Sequence, residues 1–328
     1  MKQPNVQFSA IFNWLLGISV ILLLASCSSS TEPENSGNET ETYKQIIKTT
    51  VNANAAGIDG VFADIFTDEQ SRTKFLKTYI NFNRYFDDNS GYLFVNDYNG
   101  YNIAHGSDLS LEGVNHWELK DSQNKYFVQE MIYNAKNSID DFIIYYFMNP
   151  STGVNEKKYA YAKPLTGVNY ALISGFYLEE DITNISELEK NKQIVKGISN
   201  TYAFGSGAVC TNLLTSLDDQ TNYFRKFVDH VKYFDDNSGY LFVLDITGLC
   251  IAHGTNKALE GTNLSELQDS NNKYFVKEMI SIVQNSAEGF IEYIYTNPTT
   301  NQEEEKMAYV QRVPGTDYFV GAGVYLGD

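Results

Sequence analysis

Between residues 43 and 84 the apolar positions follow the period of an α-helix. Apolar residues step by three and four from Ile46 to Phe66, which places them on one face of an amphipathic helix. A second helix is predicted over about 68–84. The unit therefore begins with two helices before any strand.

Downstream the periodicity changes to that of strands. Residues 92–97 and 101–106 flank Tyr98-Asn99-Gly100, and Asn-Gly is a frequent turn of a β-hairpin. A helix is predicted from about Ser122 to Asn137, where apolar residues mark one face. Three more strands follow, at 141–149, 157–165 and 170–178. Their short connections predict an α+β fold in which an antiparallel sheet carries its helices on one side.

The same pattern is written twice. The segment Tyr85–Val95 recurs without change as Tyr233–Val243, an offset of 148 residues, and the offset then holds to the C-terminus without insertion or deletion. Each copy has about 140 residues, an ordinary size for a domain. We predict one domain over 43–182 and a second over 183–328.

The N-terminal residues 1–26 have the pattern of a cleaved secretory signal. An apolar stretch from Ile11 to Ala25 ends in Leu24-Ala25-Ser26-Cys27, which resembles the lipobox of bacterial lipoproteins. The resemblance implies cleavage before Cys27 and diacylation of its sulfur. A retained signal anchor is the alternative, but it needs about 20 apolar residues. Residues 27–42 are polar and small, and we interpret them as the lipidated cysteine and a flexible tether.

Composition narrows the classes of partner. The chain carries a net charge of −17, one unit more negative without Lys2, which disfavours nucleic acid and anionic lipid. None of the four histidines stands in a metal-binding pattern, and no nucleophile elbow or phosphate-binding glycine loop is present. We therefore expect no enzyme, no metal and no cofactor.

Two cysteines remain after the proposed lipid site. Cys210 and Cys250 both lie in the second copy, and the equivalent positions of the first copy hold Phe62 and Asn102. Outside the cytoplasm the two thiols can pair as a disulfide. Two separate buried thiols are the alternative, and the sequence leaves both open.

An ordered series of motifs resembles one family. Gly-Tyr-Leu-Phe-Val, Ile-Ala-His-Gly, Glu-Gly-x-Asn and Lys-Tyr-Phe-Val-x-Glu-Met-Ile occur in both copies, and the second copy continues with matching segments at 289–293, 306–310, 313–318 and 321–325. Each copy resembles a single-type Cache domain. The resemblance implies a PAS-like sheet behind a long N-terminal helix, and extracytoplasmic binding of organic acids or amino acids, as in chemoreceptors and sensor kinases.

The first copy departs from the family pattern in its last strands. Gly289 is replaced by Asp141, and Gly321-Ala322-Gly323 by Ile173-Ser174-Gly175. The sequence also shows no second membrane segment and no cytoplasmic output module. We therefore expect the second copy to be the more competent binding unit, and we expect signalling to need a membrane partner.

Aromatic and polar residues at matched positions are the candidate ligand contacts, because pockets combine apolar walls with a few orienting polar groups. His253 is a ligand donor or a strand-end cap, Lys306 a carboxylate partner or a surface lysine, and Asp269 a site residue or a helix N-cap. Strand alternation puts Lys306 and Tyr309 on opposite faces, so a regular strand cannot send both into one pocket. Trp117, opposite Ser265, can cover a pocket in the first copy only. The candidates are Tyr240, His253, Asp269, Tyr274, Tyr293, Lys306 and Tyr309 in the second copy, and Tyr92, His105, Trp117, Tyr126, Tyr145 and Tyr161 in the first.

These observations favour an extracytoplasmic lipoprotein that binds a small organic ligand and passes the ligand or a signal to a membrane receptor or transporter. Ser28 after the lipid site favours the outer membrane. A structural or adhesive lipoprotein of the cell envelope is the alternative, since a duplicated core would also retain its residues.

Overall fold

The computed structural model describes residues 36–81, 83–177 and 185–327. The predicted signal 1–26 and the lipid site Cys27 lie outside these ranges. The first helix begins at Ser36, within the segment for which a flexible tether is predicted, and an ion pair between Lys44 and Glu41 at 2.7 Å supports its first turns. Within the described ranges, no helix has the length and apolar character needed to cross a bilayer.

Within the described residues, the first repeat has three α-helices, one short 3₁₀ helix (Leu109–Leu111) and six strands. The α-helices and the five longer strands follow the predicted order, whereas the 3₁₀ helix and the two-residue strand Arg84–Tyr85 were not predicted. Its elements are α1 (Ser36–Asp64), α2 (Glu69–Ile80), β1 (Arg84–Tyr85), β2 (Gly91–Asp97), β3 (Asn102–His105), α3 (Phe127–Lys136), β4 (Phe142–Met148), β5 (Asn155–Pro164) and β6 (Tyr170–Tyr177). Its strands form one antiparallel sheet in the order β1-β2-β6-β5-β4, with β3 paired to β2.

The second repeat reproduces this order. Its elements are α4 (Glu187–Asn212), α5 (Leu217–Asp229), β7 (Lys232–Tyr233), β8 (Gly239–Asp245), β9 (Cys250–His253), α6 (Phe275–Asn285), β10 (Glu288–Thr296), β11 (Glu303–Arg312) and β12 (Tyr318–Tyr325). The sheet order is β10-β11-β12-β8-β7, with β9 paired to β8. The predicted α+β class, with two PAS-like units and a long N-terminal helix in each, is confirmed.

Helices cover both faces of each sheet, rather than one side as the sequence indicated. In the first repeat, Tyr161 of β5 belongs to the core shared with α1, whereas its neighbours Ala160 and Ala162 pack with α3. Strand alternation produces this division, because successive side chains point to opposite faces. The face covered by α3, or by α6 in the second repeat, has its own apolar core.

The two repeats meet through α1 and α4, and the contacts are reciprocal. A Cβ atom added at Gly57 of α1 would lie 1.9 Å from Phe227 of α5, and one added at Gly205 of α4 would lie 2.4 Å from Tyr79 of α2. Gly57 and Gly205 are equivalent positions, as are Tyr79 and Phe227. The repeats therefore pack as the two halves of an isologous dimer joined in one chain.

The two thiols of the second repeat are separate. Cys210 of α4 and Cys250 of β9 are both buried and free, so the disulfide that the sequence allowed is not present. Burial raises the pKa of each thiol to about 12. Both cysteines are therefore small apolar core residues with little thiolate character.

Candidate ligand-binding site

A fully buried lysine occupies the layer between the second sheet and α6. Lys306 of β11 is 0% exposed, and its neighbours across the sheet are Tyr293 of β10 and Tyr325 of β12. Directly paired residues of antiparallel strands project to the same face. The register therefore places a lysine between two tyrosines inside the α6-side core.

The lysine is surrounded by rings rather than by carboxylates. Lys306 Nζ lies 3.7 Å from the ring centroid of Tyr240, 4.7 Å from that of Tyr325 and 5.6 Å from that of Tyr295. It donates one long hydrogen bond of 3.4 Å to the Tyr325 hydroxyl. Within residues 36–81, 83–177 and 185–327 it has no acidic partner within 4.0 Å. Burial lowers the pKa of Lys306 well below its ordinary value, and the nearby Lys232 lowers it further.

The first repeat builds the same arrangement around Lys158. This lysine lies between Tyr145 and Tyr177 in the sheet, and its Nζ is 3.7 Å from the Tyr92 ring centroid and 4.7 Å from that of Tyr177. Nζ has no hydrogen-bond partner in the part of the chain that the structure describes. Burial lowers the pKa of Lys158 as well. We name the two clusters the first cage (Tyr92, His105, Tyr145, Phe147, Lys158, Tyr177) and the second cage (Tyr240, His253, Tyr293, Tyr295, Lys306, Tyr325).

A glycine beside each lysine makes room for its side chain. A Cβ atom at Gly323 would lie 2.3 Å from Lys306 Cε, and one at Gly175 would lie 3.0 Å from Lys158 Cε. Any larger residue on β12 at this position would displace the lysine stem. The glycines therefore let each lysine lie across its sheet toward Tyr240 or Tyr92.

The cage histidines have the strand-end role that the sequence offered as one of two alternatives. His253 Nδ1 accepts backbone N–H groups of Thr255 and Asn256 at 3.3 and 3.1 Å, which fixes the end of β9. Burial, followed by the charge of Lys306, lowers the pKa of His253 to about 3, so the ring is neutral at physiological pH. Because Nδ1 accepts, Nε2 carries the hydrogen and is the available donor. His105 has the same bonds and its pKa is also lowered to about 3.

Helix α6 closes the second cage from above. Its Phe275 stacks on Tyr293 with centroids 4.5 Å apart and ring planes 6° apart, as Phe127 of α3 stacks on Tyr145 at 4.3 Å. The cavity that remains has a volume of about 20 Å³, which corresponds to roughly one water molecule. Its walls are Tyr240, Phe242, Leu244, His253, Leu264, Leu267, Phe275, Val276, Met279, Tyr293 and Tyr295.

Tyr309 and Tyr161 lie outside the cages. Both belong to the core on the opposite face, which packs against the N-terminal helices. The Tyr161 hydroxyl donates to Asp140 at 3.1 Å. The structure thus places Lys306 and Tyr309 on opposite faces of β11, and the lysine is the one that lies on the face covered by α6.

Asp269 and Asp121 hold the loop before the third helix of each repeat. Asp269 accepts backbone N–H groups of Asn271 and Lys273 at 2.9 Å through Oδ1, and that of Ile294 at 3.1 Å through Oδ2. Asp121 makes the equivalent bonds in the first repeat. Helix α6 begins only at Phe275, so Asp269 is also not its N-cap. The carboxylate instead ties the loop before α6 to strand β10.

Tyr274 and Tyr126 are surface residues. Tyr274 is 40% exposed and its ring lies 4.2 Å from Lys277 Nζ, while Tyr126 is packed in the same way under Lys120. Neither contributes to a cage. Trp117 is half-buried against the core between the first sheet and α3, and its carbonyl accepts a hydrogen bond from Gln129 at 2.8 Å.

Sequence reasoning missed two members of the second cage and their equivalents. Tyr325 and Tyr177 stand at equivalent positions of the two repeats, but their contact with the lysines depends on strand register, which spacing alone does not give. Tyr295 and Phe147 stand two residues after Tyr293 and Tyr145 and therefore share their face. That spacing was the available signal for the second pair.

Comparison with known proteins gives matches in both halves of the chain. The model of the single Cache domain 2 matches residues 31–190, and a second Cache domain model matches residues 214–328. The chemotaxis protein McpP of Pseudomonas putida is 22% identical over 143 residues, covering 44% of this chain and 26% of that protein. The sensor histidine kinase MctS of Rhizobium johnstonii is 31% identical over 90 residues, covering 27% and 19%. The chain thus matches about a quarter or less of the length of these relatives.

Solved structures with similarity include a methyl-accepting chemotaxis protein from Vibrio parahaemolyticus, at 23% identity and a TM-score of 0.36, covering 43% of this chain and 92% of that one. A Cache chemosensory domain described for carboxylic acid recognition is 25% identical with a TM-score of 0.37, covering 42% and 92%. The Cache domain models match two successive segments, and the fold repeats accordingly. The chain belongs to the Cache family of ligand-sensing domains and carries two such domains in tandem.

Proposed function

We propose that this protein is an extracytoplasmic receptor for small carboxylates, anchored by a lipid on Cys27, that passes ligand or signal to a membrane partner. One observation carries the proposal. Lys306 is completely buried, yet among the described residues its ammonium contacts aromatic rings and one tyrosine hydroxyl and has no acidic partner. A buried charge without a partner costs several kcal/mol, and a bound carboxylate offsets that cost.

The other polar groups of the second cage suit a carboxylate. His253 Nε2 and the hydroxyls of Tyr240 and Tyr293 are donors, and burial holds the pKa of both tyrosines well above 10, so they stay protonated. Charge-assisted hydrogen bonds from such donors to a carboxylate are shorter and stronger than neutral ones. The ligand would occupy the space that now has room for about one water molecule, and it would move α6 or its loop outward.

A simple organic acid fits the second cage better than an amino acid does. Among the described residues, the cavity walls contain no Asp or Glu that would receive an α-ammonium group. The cavity walls include Leu244, Leu264 and Met279, which suit an alkyl chain. We therefore favour monocarboxylates among the ligands of this class.

Passing a signal to a membrane partner is supported by the kinds of protein that the chain is similar to. Its curated relatives are named as a chemotaxis protein and a sensor histidine kinase. The proposal includes neither an enzymatic activity nor a metal. In the part of the chain described, His, Cys, Asp and Glu residues form no group able to hold a metal ion.

A thermal-shift titration tests the proposal. Sodium acetate, propionate and butyrate are added to the purified chain and to variants Lys158→Met, Lys306→Met and the double variant, with methylamine hydrochloride as the probe of opposite charge. We expect acids to raise the Tm by mass action, and the double variant to lose the response. No response in the wild-type chain, or an equal response in the double variant, would favour a structural or adhesive role.

A further inference from the structure

The two cages differ at one cross-strand pair in the sheet that forms their base. We call the phenylalanine of this pair the floor phenylalanine. In the second repeat Phe242 of β8 pairs with Gly321 of β12, and in the first repeat Phe94 of β2 pairs with Ile173 of β6. A Cβ atom at Gly321 would lie 2.1 Å from Phe242 Cζ, so the Phe242 ring lies directly over the glycine. Ile173 excludes this position in the first repeat, because its side chain already fills the space.

The Phe94 ring lies closer to the histidine of the first cage than the Phe242 ring does to that of the second cage. The Phe94 centroid is 5.3 Å from that of His105, whereas the Phe242 centroid is 6.4 Å from that of His253. Phe94 also lies 5.8 Å from Lys158 Nζ. The first cage is therefore narrower beside its lysine and histidine, and the open space of the second cage lies against Phe242.

The side chains that line the second cavity are also more apolar than their equivalents in the first repeat. Leu244 and Leu264 line the second cavity, and the equivalent positions of the first repeat hold Asn96 and His116. Asn96 accepts a hydrogen bond of 2.9 Å from Asn102, and the ring of His116 bonds the Leu111 carbonyl at 3.1 Å. An alkyl chain would thus contact apolar walls in the second cage. In the first cage it would contact polar side chains that are already hydrogen-bonded within the protein.

We propose that the residue opposite the floor phenylalanine sets the length of monocarboxylate that each cage accepts. This inference rests on the proposed function. With Gly321 the second cage takes the longer alkyl chains, and with Ile173 the first cage takes the shortest acids. Each methylene placed in the second cage is expected to raise affinity about fourfold, the value of a buried CH₂ group, until the cavity is full.

Isothermal titration calorimetry with one cage active at a time tests the inference. Lys158→Met leaves the second cage and Lys306→Met leaves the first, and each chain is titrated with sodium acetate, propionate, butyrate and valerate. We expect the preferred acid to be longer for the Lys158→Met chain. Adding Gly321→Ile to that chain should shift its preference to shorter acids, and adding Ile173→Gly to the Lys306→Met chain should shift it to longer ones.

Two further measurements keep the test decisive. Gly321→Ile brings its side chain against the Phe242 ring, so Phe242→Ala in the same background serves as a second variant and should extend the accepted length. Ile173→Gly removes atoms only. The same preferred length in both single-cage chains, or no shift with Ile173→Gly, would overturn this inference while leaving carboxylate binding intact. If no acid bound any of the chains, the proposed function itself would fall.

Discussion

Replacing Lys306 with methionine is expected to stabilise the ligand-free protein and to remove carboxylate binding by the second cage. The lysine is 0% exposed and lacks an acidic partner in the described structure, and its four-carbon stem already lies among aromatic rings. Methionine has a similar length and fills irregular apolar space. The substitution therefore removes the buried ammonium while leaving the packing of its stem in place.

The size of the expected gain in stability follows from the buried environment of Lys306. Replacing buried charged groups with apolar residues of similar volume commonly stabilises by about 1–4 kcal/mol. The pKa of Lys306 is lowered in the folded chain, whereas an unfolded lysine has a pKa of about 10.4. The unfolded state therefore binds more protons between these two values, and wild-type stability rises with pH across that window. The advantage of the variant is full below the folded pKa and shrinks as pH rises above it.

Thermal and urea unfolding of the ligand-free chains measure this effect. About 1 kcal/mol corresponds to roughly 2–4 °C in Tm for a protein of this size. Lys277→Met is the matched control, because Lys277 is a half-exposed lysine of the same repeat that pairs with Glu266 at 2.8 Å. A surface pair of this kind contributes about 0–1 kcal/mol, so the control should not gain stability.

A loss of stability in Lys306→Met larger than that of the control would refute this reasoning. It would mean that the lysine is satisfied within the fold by its rings and the Tyr325 hydroxyl, and that a ligand is not needed to complete it. If the Lys306→Met substitution raised stability but the double variant with Lys158→Met kept the full carboxylate response, the two claims would separate. The lysine would then destabilise the fold, and the binding site would lie outside the two cages.

Three other outcomes are expected. Gly57→Ala should destabilise the chain by about 1–3 kcal/mol in urea unfolding, because the added methyl group would overlap the Phe227 ring. Gly327→Ala, where the added methyl group would lie in open space, is the control and should be near neutral. Equal effects of the two substitutions would contradict the packing of α1. The Tm should fall as pH drops from 6.5 towards 3, because the cage histidines take up protons at higher pH in the unfolded state than in the folded state. His253→Gln should make the dependence of Tm on pH less steep. An unchanged dependence would mean that other groups titrate in this range. Cells fed radiolabelled palmitate should label the wild-type chain but not Cys27→Ser, and labelling of both would exclude lipidation at this cysteine.

Periodicity and the internal repeat were sufficient to predict the α-helices and the five longer strands of each repeat, since each was read twice at the same offset. They did not predict the two-residue strands β1 and β7. Alternation also predicted that Lys306 and Tyr309 cannot share a pocket. It could not tell which residue faces α6, because a period of two assigns two faces without naming the layer that covers each one. That choice is made by tertiary packing.

Long-range bonds account for the contacts that the sequence could not predict. Asp269 has the spacing of a helix cap, but its carboxylate reaches Ile294 on β10, 25 residues away, and nothing local in the sequence indicates this bond. Tyr325 enters the cage because β12 pairs with β11 in a register that brings it opposite Lys306. Register is fixed by the packing of whole strands, so single-residue patterns do not reveal it.

The duplication gives the strongest argument that the buried lysines serve binding. The distances from Nζ to the neighbouring tyrosine rings are 3.7 and 4.7 Å in both repeats, although the repeats have diverged at the floor residues Gly321 and Ile173. A methionine at position 158 or 306 would give a more stable ligand-free core in each case. Two buried lysines without a carboxylate partner among the described residues therefore weaken the fold in both repeats. Such a local conflict is expected where function rather than stability determines the residue.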